Sequence, residues 1–164
     1  MRARWWVPVT AGIGVAVVLG VYGRLHQPPD VVVDFPFKVW LASGAALLAV
    51  LQVLLALAMY GKLPGVPAGP PLALVHRWTG RLTLLLSLPV AVHCLYLLGF
   101  RSGEPRVLIH SLCGCLVYGA FVTKMLLISR PENDGGWAIP VAGGTVFAAI
   151  TGAWLSSALW FFTR

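Results

Sequence analysis

The chain has 164 residues, of which 59% are hydrophobic and only 10% charged, against roughly 25% charged residues in soluble domains. Its net charge of +7 does not describe a nucleic-acid binder. The cations collect at the ends of apolar runs, as in Arg2 and Arg4, Arg77 and Arg81, and Arg101 and Arg106, where they anchor helices at lipid headgroups. Asp30, Asp34, Glu104, Glu132 and Asp134 all fall between the runs. The expectation is an all-α polytopic membrane protein, with five transmembrane helices in one bundle and a single domain over residues 1–164.

The first run, 5–23, follows a basic start as a secretory signal does. It continues past the length of a signal core with no convincing cleavage site, so it is expected to be a retained anchor. A polar link with Pro28, Pro29, Asp30 and Asp34 follows, expected to be irregular. The second span, 39–60, has Gln52 as its one strongly polar interior residue. Residues 61–71 hold so many Pro and Gly that a helix there is not expected.

The third span, 79–100, carries Pro89 near its middle, which frees a carbonyl and kinks the helix. Residues 101–106 make a tight loop to the fourth span, 107–129. A turn through Glu132 and Asp134 leads to the fifth, 137–162. Each span is about 20 residues or more, enough for some 30 Å of hydrocarbon. No internal repeat supports an inverted-repeat transporter. An inside N-terminus places Arg2, Arg4, Lys62, Arg77, Arg81, Lys124 and Arg130 in the cytoplasm. It leaves the smaller set Arg24, Lys38, Arg101, Arg106 and Arg164 outside, as the positive-inside bias favours.

The histidines carry the functional signal, because an ionisable side chain within a bilayer is costly and usually has a task. Folding the third and fourth spans as a hairpin brings His93 and His110 to depths that differ by only about 6 Å. Two neutral imidazoles at matched depth are what a haem iron requires. Arg106, Arg101 or Lys38 would then meet the propionates. Gly114 and Gly119 would leave room for a flat macrocycle. Along the fourth span, His110, Cys113, Val117, Phe121 and Lys124 recur at helical spacing.

Two other readings stand beside this one. Membrane histidines can be hydrogen-bonding glue between helices, which makes the protein a non-catalytic structural subunit. Alternatively, His110 with Cys113, Cys94 and Met125 would suit copper or another soft metal. The three cysteines give no disulfide framework, and Cys113 and Cys115, two apart on a helix, cannot bridge each other. His26 is an alternative member of the pair. Lys124, near the end of its span, is expected to snorkel to the headgroups.

The segment His76-Arg77-Trp78-Thr79-Gly80-Arg81, followed by an apolar run and His93, resembles the haem-b transmembrane core of ferric reductases and related oxidases. It is similar in general design to ascorbate-type cytochromes b. The resemblance implies transmembrane electron transfer, with haem b as cofactor and His76, His93 and His110 as candidate ligands. The fourth span holds only His110, where a two-haem core needs another pair. The five spans also leave no room for a nicotinamide or flavin domain. The expectation is therefore a single-haem subunit of a membrane complex, working with a separate redox protein or quinone. The same segment resembles one in a family of small bacterial five-span proteins, which implies the bacterial plasma membrane but lends no activity.

Overall fold

A computed structural model describes residues 5–26, 36–130 and 136–163. The expectations for Pro28, Pro29, Asp30 and Asp34, and for the turn through Glu132 and Asp134, lie outside the described residues.

All regular structure among the described residues is helical. Helix α1 is Trp6–Leu25, α2 is Phe37–Met59, α3 is Pro70–Val92, α4 is Pro105–Ile128 and α5 is Ala138–Phe162. A π-turn, His93–Leu98, continues α3. Five helices, counting α3 with its π-turn as Pro70–Leu98, are long and apolar enough to cross a membrane. Large apolar side chains such as Leu47, Leu85 and Val92 are exposed on their outer faces, as a lipid-facing surface requires. This is a multi-pass helical membrane protein.

The third helix starts nine residues before the expected 79. Residues 61–69 are non-helical as expected, but Pro70 and Pro71 open α3. A first-turn proline gives up only an N–H that has no helical partner, and its fixed φ suits the helix. The other helices begin and end within two residues of the expected spans.

Neighbouring helices run antiparallel. On α1 and α4, Gly12 meets Gly119 and Thr123, while Gly20 meets Cys115. On α2 and α3, Gln52 reaches His76 and Gly44 meets Leu86. On α2 and α5, Trp154 Nε1 donates to Ser43 Oγ at 2.9 Å. The main packed pairs are α4 with α5, α1 with α4 and α2 with α3, with a smaller contact between α2 and α5. The order around the bundle is thus α3, α2, α5, α4, α1, and the π-turn reaches back to α1.

Small residues make this packing possible. Ala49, Ala149, Ile150 and Val117 form the buried core, with Tyr118 and Phe147 against it. Lipid tails are as apolar as leucine, so close backbone approach replaces the hydrophobic drive between helices.

Candidate functional site

Helices joined by a short link usually lie side by side, but α3 and α4 do not pack as a pair. Between them lies a cavity of about 460 Å³ lined by side chains from all five helices. That volume falls in the range of roughly 300–1,000 Å³ found for ligand pockets. Direct side-chain contact across the gap comes from Ser87 of α3 and Tyr118 of α4, whose hydroxyls share a hydrogen bond of 3.1 Å. At the link, the Ser111 hydroxyl donates to Arg101 O at 3.1 Å and accepts from Arg101 N–H at 3.3 Å.

The α4 face toward the cavity is the stripe His110, Gly114, Tyr118 and Val122, joined by Ser111 and Cys115. The expected stripe shared His110 and Val117 with this lining but diverged from it at Cys113, Phe121 and Lys124. Cys113 packs instead on α5, where a Cβ added to Gly152 would lie 2.8 Å from its Sγ. The cavity follows the α4 face centred on Gly114 and Tyr118, turned away from Cys113.

His110 is the one imidazole on the cavity wall among the described residues. Its Nδ1 lies 3.1 Å from the carbonyl oxygen of Ala153 on α5. A carbonyl can only accept, so Nδ1 carries the proton and Nε2 keeps its lone pair. A ligating histidine is commonly oriented this way, by a backbone carbonyl at its other nitrogen. The Ser157 hydroxyl also donates to Ala153 O at 2.8 Å, while Ser156 donates to Gly152 O at 2.6 Å with Ala153 O 3.1 Å away. The acceptor is therefore shared between His110 and Ser157.

His93 opens the π-turn and is only 7% exposed, yet it is not among the residues that line the cavity, although Val92, Cys94 and Leu95 are. Pro89 precedes it by one turn. The wider π-turn re-aims the residues that follow the proline, and such turns recur at functional sites. The structure thus does not bring His93 and His110 together on one cavity wall.

Arg106 turns toward α5. It donates to Ser156 O at 2.7 Å, stacks over the Trp160 ring at 4.1 Å and lies 3.9 Å from Glu104. Arg101 is exposed and donates from Nε to Leu98 O at 3.2 Å. No charged side chain lines the cavity among the described residues. Lys38 stands at the start of α2 and is not among the residues that line the cavity.

His76 belongs to the other end of the bundle, beside Gln52. His26, at the end of α1, stacks between Tyr22 and Tyr96 with ring centroids 5.1 and 4.8 Å away. Cys94 and Cys115 line the cavity, while Met125 is exposed. No group of three or more His, Cys, Asp or Glu side chains is placed to hold a metal ion among the described residues.

Fold and cavity define a five-helix membrane protein with a mostly apolar, half-open cavity between α3 and α4. The chain belongs to DUF6529, a family of unknown function, whose model matches residues 5–164. No curated protein and no solved structure matches it.

Proposed function

We propose that this protein holds one lipophilic redox group in the central cavity, with His110 as its protein ligand, and passes electrons to a separate redox partner. The observation that carries this reading is the His110 imidazole, fixed at Nδ1 by Ala153 O on the wall of an apolar chamber between two helices that stand apart. Haem b is the group toward which the sequence resemblance points. When bound, it would supply one-electron transfer. His110 fits the role of ligand, with its Nε2 lone pair available. Lys38, at the start of α2, is the cation this reading places near the propionates. His93, Arg106 and Arg101 do not line the chamber, so the reading rests on one imidazole. The setting proposed is a bacterial plasma membrane with the N-terminus in the cytoplasm.

A neutral quinone ring is the second reading. It is favoured by the cavity wall, which is almost wholly apolar and carries no charged side chain among the described residues. Reduced-minus-oxidised visible spectra of the protein purified from haem-replete cells, with pyridine extraction, separate the two. Haem b gives sharp b-type bands that are lost in His110→Ala and kept in His93→Ala. A quinone gives colourless protein and an ultraviolet-absorbing redox-active solvent extract. Colourless protein with an empty extract contradicts both readings and leaves a structural subunit.

A further inference from the structure

Four sides of the bundle are closed by packed helix pairs: α3 with α2, α2 with α5, α5 with α4 and α4 with α1. The remaining side lies between α1 and α3, which do not pack as a pair among the described residues. Only its outer end is closed, where the π-turn reaches α1 and the Phe100 N–H donates to Gly23 O at 2.7 Å.

The side chains that flank this unpacked side belong to the cavity. Val15 and Leu19 of α1 line it, and so do Leu88 and Val92 of α3. Within each pair the residues are four apart, so each pair forms a row along one helix face. Leu88 and Val92 are also 42% and 62% exposed. Side chains that line a cavity and face the outside at once form its rim. Val15 and Leu19 are partly exposed. Behind the rim there is room, since nothing stands within 4 Å of where a Gly114 Cβ would be.

The two rows stand at the same depth. Neighbours in the helix order run antiparallel, so α1 and α3 run in the same direction. Val15 lies ten residues before the end of α1 at Leu25, and Leu88 ten residues before the end of the π-turn at Leu98. Each is thus about 15 Å from the outer end, the middle of a hydrocarbon layer about 30 Å thick. Leu19 and Val92 lie about 9 Å from the same ends.

At that depth the bilayer holds no water, and what meets the opening is lipid acyl chain. The four rim residues are all aliphatic, and no charged side chain lines the cavity among the described residues. A hydrocarbon chain therefore enters without the cost of desolvating an ion.

We propose that the cavity opens sideways into the hydrocarbon core through a mouth between α1 and α3, rimmed by Val15, Leu19, Leu88 and Val92, and that a lipid acyl chain occupies this mouth. The mouth is then the route by which a lipophilic group reaches His110 directly from the bilayer; that last step alone rests on the function proposed above.

The test uses the full chain in phosphatidylcholine vesicles doped with a phosphatidylcholine that carries a diazirine partway along one acyl chain. Irradiation attaches that chain to the residues it touches, and tandem mass spectrometry places the adducts. Helix α4 carries its own control, because Leu112 and Leu116 are exposed whereas Gly114, Cys115 and Tyr118 line the cavity. Adducts on both sets are expected in His110→Ala, which removes the ligand for any resident group. Adding Val92→Trp or Leu88→Trp to His110→Ala should abolish the cavity adducts and keep those on Leu112 and Leu116, which report a folded, inserted chain. Two rim variants keep the test decisive if one fails to fold. Adducts confined to Leu112 and Leu116 in His110→Ala, as when a second copy of the chain covers α1 and α3, overturn the proposal. Cavity adducts undiminished by both rim variants overturn it as well. Extraction of the wild type is read separately: cavity adducts with no extracted group support the mouth and remove the redox reading. An extracted group with no cavity adducts in His110→Ala removes the mouth and leaves that reading standing.

Discussion

The backbone N–H of Phe100 donates to the carbonyl oxygen of Gly23 across 2.7 Å, joining the link after the π-turn to the last turn of α1. Terminal helix carbonyls lack an intrahelical donor, and this one finds its donor on another segment. The bond ties the two ends of the helix order together, so that the chamber is walled on the α1 side. No room is left for a side chain at Gly23: a Cβ there would lie 2.9 Å from Leu95 Cδ1 and 3.1 Å from Phe100 N. Gly23→Val should therefore lower the midpoint of thermal unfolding in detergent, by an amount corresponding to about 1–3 kcal/mol for overpacking. Gly20→Ala is the control, since its Cβ would meet Cys115 Sγ and the Phe100 ring only at 3.8 Å and beyond. Its midpoint should not fall.

The crossing of α1 over α4 is equally intolerant. A Cβ on Gly12 would run into the Thr123 hydroxyl and the Gly119 carbonyl, and one on Gly119 would lie 2.8 Å from Ala16 Cβ. Gly12→Ala and Gly119→Ala should each shift detergent-denaturation midpoints downward, again by about 1–3 kcal/mol. Gly14, two residues along α1, has open space where its Cβ would be. Gly14→Ala should hold or gain about 0.5–1 kcal/mol, the helix preference of alanine over glycine.

Ser87 and Tyr118 bridge two helices that otherwise stand apart. A double-mutant cycle with Ser87→Ala and Tyr118→Phe should give a coupling energy near 0.6 kcal/mol, typical of hydrogen bonds between membrane helices. Zero coupling would mean that the bridge does not form in the folded protein.

The five crossings were legible because each apolar run reaches about 20 residues and the acids fall between runs. Three features were not. Pro70 and Pro71 read as helix breakers, whereas the same residues are good first-turn residues once a helix begins on them. The hairpin rule places His93 beside His110, but it assumes that α3 keeps a regular 3.6-residue repeat. The π-turn at His93 breaks that repeat, so spacing alone could not assign His93 to a face. Pro89 was the visible warning. Along α4 the spacing pointed to the stripe through Cys113 and Lys124, whereas the cavity is lined by the one through Gly114 and Tyr118.

Gly114 lies on the cavity wall beside His110, and nothing stands within 4 Å of where its Cβ would be. Gly114→Leu should thus fill the chamber while leaving the helix packing intact. The direct measurement is the number of prosthetic groups, haem or quinone, extracted per chain from the wild type, Gly114→Leu and His110→Ala purified side by side. The account predicts one per chain in the wild type and little or none in either variant, with all three proteins equally folded by circular dichroism. A wild type that yields none, or variants that retain as much as the wild type, would contradict it.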